Sequence, residues 1–254
     1  MLKVTMIGTG SAFSKKFHNT SALVNFPGGY GLLLDCGHSV PKGLYEQGIS
    51  LMDVDGIFIS HLHADHIGGL EEVALYNKFV LGGRKIDLFV PHKLAVPLWE
   101  CLEGGLGSEG NGLGDYFNTH ILYAPVQKVS PHPAIDYIPL KIFTTDHVKG
   151  MDTYALGIGD HLFYSADTLF DIKLIQTAAE EYNFIFHDCQ MSGYSKNNVH
   201  ACIEEMLSLP LYMQKRIFLM HYGDNVEEFI GKTGDMTLLK EGDTWVVQSK
   251  NKTI

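Results

Sequence analysis

Apolar residues recur along the chain in two patterns, short β-like runs and longer stretches with helical spacing. The β-like runs predict strands over residues 2–7, 21–26, 31–35, 55–59, 86–90, 120–123, 138–144, 153–158, 161–164, 215–220, 236–240 and 244–248. The helical spacing predicts helices over residues 39–48, 67–80, 168–181 and 198–209. Because strands near both ends of the chain enclose interspersed helices, the pattern indicates one α/β domain over residues 1–254.

Residues 103–115 break both patterns because they contain six glycines. A segment with so much backbone freedom is not expected to form a stable helix or strand. Two interpretations remain open: a mobile surface loop, or a lid or dimer-exchanged loop over a functional site.

Composition is that of a folded protein, with 45% hydrophobic and 19% charged residues. No apolar run approaches the ~18 residues that span a bilayer, and glycine interrupts the chain start too soon for a signal peptide. The cysteines are scattered without a C-x-x-C pair, which favours buried free thiols in a reducing compartment. They are Cys36, Cys101, Cys189 and Cys202. We therefore expect a cytoplasmic protein without a membrane segment.

The formal net charge is −10, from 19 basic and 29 acidic side chains. Proteins that hold long nucleic acids usually carry basic stripes, and this sequence has none that is evident. A long nucleic acid is therefore an unlikely partner, whereas a small anionic substrate held through metal ions is compatible with the charge.

Four side chains of the metal-ligand type follow directly after the apolar run that ends at residue 59: His61, His63, Asp65 and His66. His61 and His63 are two apart in extended backbone and can point the same way. Three imidazoles with one carboxylate suit zinc, and less exclusively manganese or iron. Histidines in a turn can simply be solvated, but so dense a cluster is costly to hold without a metal. The sequence therefore predicts a metal site.

The pattern H-x-H-x-D-H after an apolar strand resembles the signature of the metallo-β-lactamase superfamily. The runs at 8–12 (GTGSA), 19–21 (NTS) and 33–37 (LLDCG) resemble its ribonuclease Z-like and phosphodiesterase branch. The resemblance implies the family's fold, an αββα four-layer sandwich in which two mixed sheets are flanked by helices.

Later motifs of the family appear in the family's order, each after an apolar run. They are 145–147 (TDH), 164–168 (YSADT, with Ala166 where the family has glycine) and 219–222 (LMHY). The resemblance implies a first metal held by His61, His63, His147 and Asp167. It implies a second metal held by Asp65, His66, His221 and the same Asp167, and thus two Zn²⁺ per chain, with Mn²⁺ as a second option.

Taken alone, His147, Asp167 and His221 are weak signals, since any of them could be a satisfied core or surface residue. The resemblance also makes Asp35 an acceptor that orients a ligand imidazole. A turn or helix-start aspartate is the alternative for that residue.

The segments 184–189 (FIFHDC) and 198–201 (NVHA) resemble the H-E-A-[ST] run and the following histidine of the ribonuclease Z branch, with Asp for Glu and Cys for Ala. The resemblance implies that Asp188 orients His200, which protonates the leaving oxygen as general acid. It also implies that Asp65 accepts a proton from the attacking water. The alternative is that His200 starts a helix and Asp188 caps one.

Only the 19 residues 148–166 separate His147 from Asp167, where ribonuclease Z inserts its tRNA-gripping arm. The chain more closely resembles the phage anti-Pycsar cyclic-nucleotide phosphodiesterases, which implies a homodimer that opens 3′,5′-cyclic nucleotides such as cCMP, cUMP, cAMP and cGMP to defeat an antiviral defence. Tyr116 and Phe117 then either cover a base or, more in keeping with the pattern, anchor a strand in the core. The other candidate functions are tRNA 3′-end processing and thioester or lactone hydrolysis.

Overall fold

The structure is a computed structural model that describes residues 1–123 and 139–250. Its strands are β1 (Leu2–Gly8), β2 (Ser21–Asn25), β3 (Gly31–Leu34), β4 (Gly56–Phe58), β5 (Ile86–Pro91), β6 (Phe117–Leu122), β7 (Leu140–Thr145), β8 (Thr153–Ile158), β9 (Leu162–Tyr164), β10 (Phe184–Asp188), β11 (Ile217–Met220), β12 (Thr237–Leu238) and β13 (Thr244–Val247). Its α-helices are α1 (Val40–Glu46), α2 (Ala64–Ile67), α3 (Leu70–Phe79), α4 (Ala95–Leu106), α5 (Ile172–Glu181), α6 (Ile203–Leu207) and α7 (Leu211–Gln214). Short 3₁₀ turns cover Leu51–Asp53, Ser108–Gly110, Leu113–Asp115 and Val226–Phe229.

The strands form two mixed sheets. The first has the order β13-β1-β2-β3-β4-β5-β6, antiparallel from β13 to β3 and parallel from β3 to β6. The second has the order β12-β11-β10-β9-β8-β7, parallel from β12 to β9 and antiparallel from β9 to β7. Parallel strands end at the same edge of a sheet, so each sheet gathers several carboxyl-terminal strand ends in one place.

Side-chain alternation in the second sheet shows how the layers stack. On β10 and β11, Phe186 and Phe218 join the large core that also contains the first sheet, whereas Ile185 and Leu219 join a second core with residues of α5 and α6. Both faces of these strands are therefore buried, which explains why their sequences are apolar without a polar alternation. The two mixed sheets with flanking helices confirm the predicted αββα architecture.

Most predicted strands and helices match the observed ones within a few residues, but α4 was not predicted. Pro97 lies in the first turn of α4, where a missing N–H is tolerated. Gly105 lies so close to the Glu71 carboxylate on α3 that a Cβ would overlap it. That carboxylate is the end of a flexible, exposed side chain that can move aside, so this contact does not by itself require glycine.

The expectation that residues 103–115 form no helix was wrong for their first part, because α4 continues to Leu106. Two of the 3₁₀ turns follow in the same segment. Tyr116 and Phe117 are core anchors, with exposed fractions of 3% and 1%, and the Tyr116 hydroxyl donates to the Leu106 carbonyl over 2.7 Å. These two rings are thus packed inside the protein and are not placed to cover a base.

Three further predictions need adjustment. The helix predicted over 198–209 is limited to α6, so His200 precedes it and does not start it. The strand predicted over 138–144 is β7, and residue 138 lies outside the described residues. All four cysteines are free, but Cys101 is exposed because it lies on the outer side of α4. Within the described ranges, no helix is long and apolar enough to cross a membrane.

Candidate metal centre

The predicted ligand cluster lies at the carboxyl end of β4, where the chain leaves the first sheet. His61 is fully buried there, and His63 is the N-cap residue of the short helix α2. Asp65 and His66 are successive side chains within that helix and are also buried. The short segment between β4 and α2, together with the first turn of α2, thus brings these four side chains toward one place.

The first set of candidate ligands joins this loop to the second sheet. His63 Nδ1 is 3.0 Å from His61 Nε2 and 3.3 Å from His147 Nε2. Asp167 Oδ2 is 3.7 Å from His61 Nε2 and 3.6 Å from His147 Nε2. His147 follows β7 and Asp167 follows β9, so this set requires both sheets to be in place.

The second set lies on the other oxygen of the same carboxylate. Asp167 Oδ1 is 3.2 Å from His66 Nε2 and 3.3 Å from His221 Nε2. Asp65 Oδ2 is 3.3 Å from each of the same two nitrogens. The two oxygens of Asp167 therefore face two different sets of side chains, as a bridging carboxylate would.

The donor atoms fit metal ions in three respects. Ligand atoms at about 2.0–2.2 Å from a tetrahedral zinc lie about 3.3–3.6 Å from one another, which is close to the observed spacings. His66 Nε2 and Asp167 Oδ1 are buried and have no hydrogen-bond partner, a costly condition that a bound cation would relieve. Imidazole nitrogens with carboxylate oxygens are also the donor types that zinc and manganese accept.

Electrostatics in the cluster favour positive charge. Burial lowers the pKa of His66, but the carboxylates of Asp167 and Asp35 outweigh it and hold this pKa well above its ordinary value. Burial also acts to lower the pKa of His221, but the carboxylate of Asp167 outweighs it and raises this pKa to about 10. Burial acts to raise the pKa of Asp167, yet His221 and His66 hold it well below its usual range. A bound cation would supply positive charge at the same place and release protons from these imidazoles.

The buried carboxylate of Asp35 orients side chains of the cluster through its hydrogen bonds. Its carboxylate accepts from the Ser60 N–H at 2.8 Å, the Ser60 hydroxyl at 2.7 Å and the Tyr164 hydroxyl at 2.8 Å. It also contacts His66 Nδ1 at 2.9 Å, which leaves Nε2 of that ring facing the cluster. The Ser60 hydroxyl is in turn 3.0 Å from His61 Nδ1. One buried carboxylate thus orients two candidate ligand rings, directly and through Ser60.

Asp188 holds a corresponding place in the second sheet, as the last residue of β10. Its Oδ2 accepts from the Thr168 N–H at 3.0 Å and is 2.7 Å from His200 Nδ1. Its Oδ1 is 3.4 Å from Nδ1 of His221. The expected Asp188–His200 pair is thus present, and the same carboxylate also contacts a candidate ligand.

Backbone strain coincides with the site. In residues 1–123 and 139–250, the non-glycine residues with positive φ are Asp35 (58°), Ala166 (50°) and His221 (60°). Such conformations cost about 1–3 kcal/mol each and persist where the surroundings enforce them. Ala166, just before Asp167, thus adopts a backbone conformation that glycine would adopt without strain. The strained residues therefore fix one orienting carboxylate, one candidate bridge and one candidate ligand.

Two cavities open beside the cluster. The first, about 350 Å³, is lined by candidate ligands from both sets together with His38 and His200. The second, about 420 Å³, lies on the other side of His200 and His221. A larger cavity of about 590 Å³ between α1 and α3 contains none of the cluster residues. Among the described residues of 103–115, none lines either cavity beside the cluster, so the chain shows no lid from this segment over its own site.

Fold and cluster together define a metallo-β-lactamase-fold protein with two adjoining sets of side chains able to hold metal ions. Residues 2–245 match the family model described as anti-Pycsar protein Apyc1. An anti-Pycsar protein Apyc1 of Bacillus phage vB_BsuM-Goe3 is 52% identical over 252 residues, covering 94% of this chain and 96% of that relative. The chain belongs to the anti-Pycsar Apyc1 family.

Solved structures support the fold alone. The metallo-β-lactamase-fold protein YhfI from Bacillus subtilis superposes with a TM-score of 0.75 at 19% identity, over 96% of this chain and 98% of that one. A diphosphatase of the PhnP family superposes with a TM-score of 0.76 at 15% identity, over 98% and 99% of the two chains. At such identities the shared architecture is clear, while the chemistry has to be argued from the site.

The residues that the sequence predicted as ligands lie together in the structure, but sequence reasoning missed some of the side chains that support them. Ser60, Tyr164 and Thr168 hold Asp35 and Asp188 in place and were not identified as functional. Their position directly beside a candidate ligand or within the 164–168 motif was the available signal. Hydroxyl and amide donors are common everywhere, so their role becomes visible only when their acceptors are located.

Proposed function

We propose that the protein is a two-metal phosphodiesterase that hydrolyses 3′,5′-cyclic nucleotides to linear nucleotides. The observation that carries this proposal is the placement of Asp167, whose two oxygens face two separate sets of ligand-type side chains. Two metals bridged in this way, with zinc as our proposed ion, would polarise a phosphoryl oxygen and activate water for attack on phosphorus.

In this proposal the first ion is held by His61, His63, His147 and Asp167. The second is held by Asp65, His66, His221 and the same Asp167. Burial acts to raise the pKa of Asp65, but the neighbouring His221 and His66 outweigh it and hold this pKa well below its usual range, so the carboxylate is ionised near neutral pH. An ionised Asp65 on the wall of the first cavity can accept the proton that the attacking water loses.

His200 is our proposed general acid. Its Nδ1 is engaged by Asp188, so Nε2 is the nitrogen that can deliver a proton to the leaving oxygen. Burial lowers the pKa of His200, but Asp188 outweighs it and the pKa is raised, which favours the protonated form that an acid requires. His200 is 19% exposed and lines both cavities, so a substrate can reach it.

A small substrate is favoured over tRNA. The interval 148–166 is occupied by β8, β9 and their turns, and β8 and β9 pair within the second sheet without forming an arm. The net charge of −10 disfavours the binding of a long polyanion. Membership of a family named for opposing Pycsar supports a cyclic-nucleotide signal as the substrate and a bacterial cytoplasm as the place of action.

The test is to incubate zinc-loaded protein with 3′,5′-cyclic CMP, UMP, AMP and GMP and, separately, with a precursor tRNA. We expect metal-dependent ring opening of one or more cyclic nucleotides, an intact tRNA, and no reaction with Asp167→Ala. Cleaved tRNA with untouched cyclic nucleotides would assign the chain to tRNA 3′-end processing instead.

Thioester or lactone hydrolysis is the remaining alternative, and His200 discriminates it. A thiolate or carboxylate leaving group needs less help from an acid than an alkoxide does. His200→Ala is therefore expected to lower cyclic-nucleotide hydrolysis by about 100-fold or more. Full activity of that variant on a thioester or lactone would favour the alternative.

We further propose two Zn²⁺ per chain, with Mn²⁺ as a substitute, and a homodimer in solution. Elemental analysis of purified protein gives the metal identity and stoichiometry, with a value near zero contradicting the metal proposal. Light scattering gives the oligomeric state, and a mass of one chain would contradict the homodimer.

A further inference from the structure

The loop between β1 and β2 is firmly anchored beside the site. The Asp224 carboxylate accepts from the Ser14 hydroxyl at 2.6 Å, the Lys15 N–H at 3.0 Å and the Lys16 N–H at 2.9 Å. The Ser11 N–H also donates to the carbonyl of Tyr222, the residue after His221. This loop is therefore tied to the same strand end that presents a candidate ligand.

Two phenylalanines of this loop differ in burial. Phe17 packs edge-on against Tyr222, with ring centroids 5.2 Å apart, and contributes to the core. Phe13 is 88% exposed, although its backbone is part of the anchored loop. Single exposed apolar residues are common on proteins. This one, however, lines both cavities beside the cluster and is held there by a fixed backbone.

The two cavities meet at a shared wall that consists of Ala12, Phe13, Val199, His200 and His221. The first cavity is lined by five of the candidate metal ligands: His63, Asp65, His147, Asp167 and His221. The second contains Met191 and the polar side chains of Gln190, Ser192 and Asn225, but not Asp65, His66 or Asp167. A ligand with an anionic end and a flat, partly apolar end can therefore occupy both cavities across the shared wall.

We propose that the second cavity is a nucleoside subsite in which the Phe13 ring stacks on the base, while the cyclic phosphate lies at the ligand cluster. The proposal rests on the proposed function, since it requires a nucleotide substrate. An aromatic ring stacks on any base because every base offers a π-face. A carboxamide such as that of Gln190 can donate and accept, so it can satisfy different base edges. The subsite is thus suited to nucleosides as a class.

The test compares two substrates in wild-type protein and variants. One is a 3′,5′-cyclic nucleotide, and the other is the base-free cyclic ribose 3′,5′-phosphate. In the wild type we expect the KM for the nucleotide to be about 10-fold lower than that for the base-free compound. Phe13→Ala is expected to abolish that difference by raising the KM for the nucleotide, with kcat on both substrates retained.

Phe13→Trp is expected to keep the low KM, because a larger aromatic ring still stacks. Phe79→Ala is the matched control, since Phe79 is a 74% exposed phenylalanine at the end of α3 that lines neither cavity. A KM ratio that Phe13→Ala leaves unchanged would overturn the subsite. So would a loss of dimer mass in Phe13→Ala by light scattering, because the ring would then serve subunit contact.

Failure of the proposed function gives a different result from failure of the subsite. Wild-type protein that opens neither substrate refutes the phosphodiesterase. Wild-type protein that opens both with the same KM refutes only the nucleoside subsite.

Discussion

The two sheets contribute to the candidate site in contrasting ways. The first sheet provides four candidate ligands from six consecutive residues, 61–66, at the end of one strand. The second sheet provides His147, Asp167 and His221 singly, from the ends of three different strands. The first contribution is local and can be recognised in the sequence. The second exists only when β7, β9 and β11 are assembled in one sheet, where β8 and β10 lie between them.

Each region has its own orienting carboxylate. Asp35 supports His61 and His66 of the first region, while Asp188 supports His221 and His200 of the second. Tyr164 joins the regions, because it belongs to β9 yet donates to Asp35. We therefore expect a substitution to impair one region or both, depending on which of these two carboxylates it alters or contacts.

Asp167→Ala should have the largest effect because its side chain faces both ligand sets. We expect activity to fall by about 1,000-fold or more, and metal content to fall from two ions to at most one. Steady-state kinetics and elemental analysis measure these. Asp152→Ala, at an exposed acidic residue that pairs with Lys93 at the surface, is the control and should keep activity and both ions. Retention of two ions in Asp167→Ala would show that each ligand set binds its ion without the shared carboxylate.

Asp188 contacts both the proposed general acid His200 and the candidate ligand His221. The variants Asp188→Asn and His200→Gln separate these two roles. Both should lower phosphodiesterase activity by about 100-fold or more, because each breaks the proposed acid pair. Only Asp188→Asn should also weaken the second ion, by about 10–100-fold, since it alone removes the carboxylate beside His221. Competition with a zinc indicator measures the affinity. Equal zinc affinities in the two variants would mean that the 3.4 Å contact to His221 is unimportant.

Removal of metal by a chelator tests whether ions tie the regions together. Each site occupied at about 100 times its Kd contributes about 2.7 kcal/mol, and a protein of this size loses about 2–4 °C of melting temperature per kcal/mol. For two sites we therefore expect Tm to fall by about 10–20 °C and to recover when zinc is restored. Differential scanning calorimetry measures the shift. An unchanged Tm would indicate that protein contacts alone hold the two sheets at the site.

Tyr164→Phe should give the smallest effect. It removes one of the donors to Asp35 and leaves the Ser60 and His66 contacts in place. We expect the free energy of unfolding to fall by about 1–2 kcal/mol and zinc affinity to change less than in Asp188→Asn. Denaturant unfolding of the zinc-loaded protein provides the value. A larger loss of zinc affinity than in Asp188→Asn would make Tyr164 the main link between the regions.

The sequence alone indicated an α/β domain and the cluster at 61–66, because apolar periodicity and dense ligand spacing are local properties of the chain. The αββα arrangement came from the resemblance of the H-x-H-x-D-H motif to a known family, not from periodicity. Motif order also brought His147, Asp167, Asp188, His200 and His221 forward, although any of them alone was ambiguous. The helix α4 escaped this reasoning, since Pro97 lies in its first turn and its last residues belong to the glycine-rich segment that was not expected to form a helix.

Only the tertiary structure decided how these residues meet. The opposed directions of the two Asp167 oxygens, the double contact of Asp188 and the supports from Ser60, Tyr164 and Thr168 depend on strand ends far apart in the chain. It also separated Phe13 from Tyr116 and Phe117, which look equally apolar in the sequence. The physical reason is that periodicity reports whether a side chain is buried, whereas function depends on distances between atoms that the packing of two sheets sets.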